Sequence, residues 1–189
     1  VDPFSYLSFL TSIVLALGVT RVLTGVGLLL QNRGRITLYW VHLLWTLNVF
    51  LFLLLDWWIL FRWSTWTNWT FYYFVFILLT PIVAFLLTVL LFPDKIDTGL
   101  DFKAHYELNR RSFFLLAALL PPLDFLDTAL KGRQHLLSQG VIYPVTIVLL
   151  FVLMLIAART SSQRYHKFFA VFFLVYILIF ITINLRVLS

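Results

Sequence analysis

The chain has 189 residues, of which 62% are hydrophobic and 12% charged, with a mean hydropathy of +0.97. So little polar surface cannot coat a water-soluble domain, which excludes a soluble enzyme, a disordered chain and a nucleic-acid module. The net charge of +6 points the same way, because Lys and Arg gather in short segments between apolar runs, where they set topology and attract anionic lipid. Cysteine is absent, so disulfides, Cys-ligated metals and thiol catalysis are excluded.

Apolar runs recur near residues 4–30, 37–61, 71–92, 112–130, 142–158 and 165–188. Each is long enough, at about 1.5 Å per residue, to cross about 30 Å of hydrocarbon. The expected fold is an all-α, six-helix membrane bundle forming a single transmembrane domain over 1–189. The first run lacks the basic flank and small-residue cleavage pattern of a signal peptide, and reads as a span. One side of the membrane receives Arg62, Lys131, Arg133 and Arg186; the other receives Arg33, Arg35, Lys95, Lys103, Arg110, Arg111, Arg159, Arg164 and Lys167. The positive-inside rule places the richer side in the cytoplasm and both termini outside.

On the first span, Thr11, Gly18, Arg21 and Gly25 fall within about 80° of one another at helical spacing. Small residues admit a neighbouring helix, so Arg21 is expected to point into the bundle and to need a carboxylate or several carbonyls. It reads as a register-fixing ion pair or as an anion or substrate site. Snorkelling ranks last, because roughly 14 Å separates Arg21 from the cytoplasmic end.

On the second span, His42, Trp45, Thr46, Val49, Leu53 and Asp56 share a face. His42 and Asp56 lie about 21 Å apart and cannot touch. They read either as two ends of a proton path or as a packed histidine and an unrelated acid. Trp57, Trp58, Trp63, Trp66 and Trp69 then crowd the second loop, as an outer aromatic belt or as a platform for lipid, quinone or a partner helix. Asn68-Trp69-Thr70 is a glycosylation sequon whose closeness to the bilayer argues against its use.

After the third span, mildly kinked at Pro81, residues 101–111 are amphipathic. Phe102, Tyr106, Asn109 and Phe113 share a face, with Asp97 and Thr98 as cap candidates. A short cytoplasmic interfacial helix is expected before the fourth span, lying on headgroups through Lys103, Arg110 and Arg111 or docking a soluble partner. Pro121-Pro122 must interrupt the fourth span and free the carbonyls of Ala117 and Ala118. Beyond it, Asp124, Asp127, Thr128 and Lys131 share a face. Asp127 and Lys131 stand at i and i+4 in the favourable order for an ion pair, which leaves Asp124 as the sharpest functional candidate.

Asp56, Asp124 and Asp127 all belong to the outer half of the bilayer. Together they suggest a vestibule attracting protons or cations, or else surface pairing with Lys131 and Arg62. The last two spans carry no charge at depth; Pro144 suggests a mild kink, and Tyr176 and Asn184 can bond across helices. Phosphate-binding, zinc-protease and serine-hydrolase motifs are missing, and the histidines are poorly matched in depth for haem, so no cofactor or metal is expected.

Two function classes follow. The first is a non-catalytic subunit or scaffold of a bacterial inner membrane that binds lipid, other spans or a cytoplasmic partner, as a homo-oligomer or within a larger complex. The second is a small proton or cation channel or carrier using Arg21, His42, Asp56 and the acidic fourth span.

Overall fold

A computed structural model describes residues 2–94 and 99–184. The proposed Asp97 and Thr98 caps, Lys95, Arg186 and the end of the sixth run lie outside the described residues, as does the Asn184 side chain. Among the described residues the chain is all-helical, with no β-strand. The helices are α1 (Pro3–Gln31), α2 (Trp40–Leu60), α3 (Phe71–Leu91), α4 (Phe102–Ala117), α5 (Leu120–Leu130), α6 (Arg133–Ser138), α7 (Ile142–Arg159) and α8 (Gln163–Asn184). Six spans are long and apolar enough to cross a membrane: α1, α2, α3, α4 with α5, α7 and α8. The loop rich in Trp marks one end of the bundle (the tryptophan end), and Arg33, Arg35 and Arg159 mark the other (the basic end).

Asp2 caps α1 by accepting from the Ser5 backbone N–H at 3.0 Å, and Pro3 fills the first helical position, where no N–H is required. The buried side of α1 is Leu7, Thr11, Leu15, Gly18, Val22, Gly25 and Leu29, a single stripe spaced by threes and fours. Its glycines are there for close approach. A Cβ on Gly18 would lie 3.0 Å from Leu53, and one on Gly25 only 2.6 Å from the Phe92 ring. Because Gly25 meets Phe92, the residue just past α3, α1 runs six residues, about 9 Å, beyond the end of α3.

The proline pair acts where expected. α4 ends at Ala117 and α5 restarts at Leu120, so Pro121 and Pro122 occupy the first turn of a new helix, where their missing N–H groups cost nothing. Pro144 likewise falls in the first turn of α7, whereas Pro81 lies inside a continuous α3.

The amphipathic stretch 101–111, expected as a cytoplasmic helix running into the fourth span, is continuous with that span. Those residues form the first turns of α4, capped by Asp101, whose carboxylate accepts from the Lys103 N–H at 2.8 Å. Phe102 is 0% and Tyr106 7% exposed, because their face turns into the bundle rather than onto headgroups. The first and third loops are tied together beside it: Gly99 N–H donates to Arg35 at 2.7 Å, Thr37 N–H to Leu100 and Phe102 N–H to Thr37 at 3.0 Å each. These bonds satisfy loop backbone that would otherwise be exposed near the membrane.

The core centres on Trp45. Its ring packs at 5.0–5.6 Å from Phe113, Phe114, Phe169 and Phe173, mostly edge to face. α2, α4 and α8 thereby meet in an aromatic plug across the middle of the bundle.

Candidate functional site

Above the plug, toward the tryptophan end, lies a cavity of about 150 Å³ with walls drawn from all six spans. Most of the wall is apolar, including Ile77, Pro81, Pro121, Leu150 and Met154. The polar exceptions include Thr11, Asp56, Asp124 and Asp127. The three carboxylates grouped by depth in the sequence therefore share one cavity. Phe173 belongs both to its wall and to the aromatic plug, so aromatic rings border the cavity on its basic-end side.

The carboxylates differ in their partners. Asp127 is doubly held: Lys131 Nζ donates to Oδ2 at 2.6 Å and Trp63 Nε1 to Oδ1 at 2.8 Å, with the Lys131 ammonium 4.8 Å above the Trp63 ring. The i,i+4 pair expected from the sequence forms, and the indole completes it. Asp124 has no cation of its own. The Tyr143 hydroxyl stands 3.0 Å from its Oδ2 and 2.8 Å from Thr128 Oγ1, one proton shared among acceptors. Asp56 is the least satisfied, its Oδ2 being buried without a hydrogen-bond partner. Thr11 repeats the pattern: it is 2% exposed, lines the cavity, and its hydroxyl has no partner.

The remaining candidates are placed elsewhere. Arg21 does not point into the bundle interior. It reaches toward the basic end, donating to the Phe92 carbonyl at 3.1 Å and pairing with the exposed Asp94 at 2.9 Å. The carboxylate and carbonyl expected for Arg21 are thus both present, as an ion pair between α1 and the segment after α3. The guanidinium also favourably caps the negative C-terminal end of α3. His42, 1% exposed, is a packed histidine. Its Nε2 lies 2.7 Å from the Leu91 carbonyl, which makes that nitrogen the donor, and its ring packs on Phe92 and Phe102. Between His42 and Asp56, α2 buries Thr46, which donates to the His42 carbonyl at 3.0 Å, and Asn48, which donates to the Ala170 carbonyl at 3.1 Å; beyond them, toward Asp56, Val49 and Leu53 are apolar and 5% exposed or less.

Of the five tryptophans, Trp57 and Trp58 are exposed as a belt requires, and Trp57 donates to Ser12 Oγ at 3.2 Å. Trp63 is 2% exposed and serves Asp127, so it is not a belt residue. Trp66 and Trp69 are half-buried, their indoles donating to the backbone carbonyls of Asn68 and Trp66. At the basic end, Arg111 is exposed, while Arg110 donates to the Thr160 carbonyl at the end of α7. Tyr106 and His166 complete that network: the Tyr106 hydroxyl lies 2.9 Å from His166 Nδ1, and His166 Nε2 lies 3.0 Å from the Thr160 carbonyl.

Sequence reasoning missed Tyr143, the Trp63–Asp127 bond and the Tyr106–His166 link. Each pairs residues far apart in the chain without a spacing signal. Thr11 was visible on the small face of α1 but carried no reason to be singled out. Outside the spans, burial and then Lys131 and Arg62 hold His135 below its ordinary range, while burial and Glu107 raise Tyr39. Among the described residues no group of three or more His, Asp or Glu side chains is arranged to hold a metal. No protein-family model, curated protein or solved structure matches the chain.

Proposed function

We propose that this chain is a non-catalytic membrane protein that holds a small amphipathic molecule in the cavity at its tryptophan end, as a binding subunit or scaffold rather than as a channel. The observation that carries this reading is the cavity: apolar walls, a polar pole, and packed aromatic rings on its basic-end side. Conduction needs polar groups or water along the whole depth, and the α2 stretch from Val49 to Leu55 offers no polar side chain. A pocket of mostly apolar lining with a few convergent polar groups is the common form of a small-molecule site.

The basic end faces the cytoplasm in this reading, because nine of the loop Lys and Arg residues gather there. The cavity then opens to the outer leaflet, and Arg111, Arg164 and Lys167 meet cytoplasmic anionic headgroups. A bacterial inner membrane has the matching charge asymmetry.

Photolabelling tests the proposal. A diazirine-bearing benzyl alcohol is added to the protein in phosphatidylcholine vesicles, illuminated, and the adducts are mapped by mass spectrometry. Saturable labelling of Ile77, Leu150 or Met154, suppressed by excess benzyl alcohol, is the expected result. Labelling confined to lipid-facing residues and unaffected by competitor would refute it.

A further inference from the structure

We infer that the polar pole of this cavity selects a protonated amine, so that the ligand is a small apolar body bearing one ammonium group, received by Asp56, with Thr11 in the same cavity wall. The inference rests on the cavity being a binding site, as proposed above, and adds the chemical class of its occupant.

The reasoning is a count of donors and acceptors. Three carboxylates line the cavity, and the Lys131 ammonium is committed to Asp127. Asp124 draws on the Tyr143 hydroxyl, which also faces Thr128. Asp56 Oδ2 is left without a donor although it is shielded from solvent. Independently, the Thr11 hydroxyl on the opposite helix is also unpartnered, on a side chain 2% exposed. Threonine in a helix can satisfy its hydroxyl on the carbonyl one turn back, so an unused hydroxyl facing a cavity points to a partner inside it.

An ammonium carries three donors and no acceptor. It can serve Asp56 and Thr11 together and offset one of the carboxylate charges. An anion is repelled by the carboxylates. A neutral alcohol supplies one donor and leaves the charge uncompensated. A divalent cation is not favoured, because among the described residues no group of three or more His, Asp or Glu side chains is arranged to hold one. The size of the body follows from the volume. An apolar cavity of about 150 Å³ accepts a molecule of roughly benzene size. A whole two-chain lipid is excluded, although the amino headgroup of one is not.

The test uses the same photolabel with two competitors of equal shape, benzylamine and benzyl alcohol, at neutral pH. A charge-assisted hydrogen bond in place of a neutral one is worth about tenfold in affinity. Benzylamine is expected to suppress cavity labelling at about tenfold lower concentration than benzyl alcohol. In D56N that ratio should fall to about one, while labelling by the benzyl alcohol probe persists and reports that the cavity still forms. In T11V the ratio should fall by a few-fold. Vesicles in which phosphatidylethanolamine replaces phosphatidylcholine separate the two sources of the amine. If the bilayer aminolipid itself suppresses labelling in wild type but not in D56N, the ligand is a lipid headgroup; if not, it is a free amine.

Equal potency of the two competitors on wild type overturns the ammonium inference and leaves the cavity reading standing. A preference for benzylamine that survives D56N overturns it as well. Absence of any saturable labelling removes the cavity reading and this inference with it.

Discussion

Replacing Lys131 by Met is the most informative perturbation of the cavity rim. Lys131 Nζ lies 2.6 Å from Asp127 Oδ2, with side-chain exposures of 11% and 22%. An exposed i,i+4 pair is worth about 0.5 kcal/mol, whereas breaking a fully buried pair costs about 3–5 kcal/mol by stranding the remaining charge. The exposures place this pair nearer the buried limit, so the expected loss is about 2–3 kcal/mol, including about 0.5–1 kcal/mol from the ammonium over the Trp63 ring. Asp127→Asn should cost less, because its amide oxygen still accepts from Trp63. The double variant should recover much of the K131M loss, since no carboxylate is then left unpaired. The assay is equilibrium unfolding in mixed micelles across the double-mutant cycle. Additive effects, or a K131M loss below about 0.5 kcal/mol, would refute the claim that the rim charge is structurally committed. Asp127 would then compete with Asp56 for a cationic ligand.

Three further outcomes follow. Gly25→Ala should destabilise by about 1–3 kcal/mol, because its methyl would stand 2.6 Å from the Phe92 ring; unfolding midpoints indistinguishable from wild type would show that this contact is loose. Trp45→Ala, which empties the centre of the plug, should cost about 3–5 kcal/mol by the same measurement, and a loss under 1 kcal/mol would contradict its central place. His135, held below 6.5 by burial and then by Lys131 and Arg62, should titrate by NMR below that value. With the native value depressed, its contribution to stability is complete above 6.5 and is lost as the pH falls through the lowered value. A midpoint at or above 6.5 would contradict this environment.

Much of the fold was legible because membrane spans announce themselves by length and hydropathy, and because backbone chemistry at the prolines is local. The restart at Leu120 is what Pro121-Pro122 requires. The Asp127–Lys131 pair was legible for the same reason, since both partners sit one turn apart on one helix. The need of Arg21 for a carboxylate or carbonyl was legible, but its partners Asp94 and Phe92 were not, because they depend on how far α1 projects past α3, a relation set by the Gly25–Phe92 contact between distant segments. Phe102 and Tyr106 were placed at the membrane surface because an amphipathic stretch reads alike whether its apolar side meets lipid or protein. Here that side meets α2, α8 and the loop before α2. The three carboxylates could be grouped by depth and Asp127 recognised as paired, yet the sequence pointed to Asp124 as the unanswered one, whereas Tyr143 answers it and Asp56 is left. That inequality depends on Tyr143, Trp63 and Thr11, which come from three other segments.

Polar groups buried in this bundle divide into those already answered by a partner and those that are not. Arg21, Asp127 and Lys131 have partners that fix structure; Asp56 and Thr11 do not, and they face a space bordered on its basic-end side by aromatic rings. The central claim is that this space binds and does not conduct. It is tested most directly by reconstituting the protein in liposomes under an imposed proton or cation gradient. The account predicts dissipation no faster than in protein-free liposomes, for wild type, Asp56→Asn and Asp124→Asn alike. Faster dissipation by wild type that is lost in Asp56→Asn would contradict it.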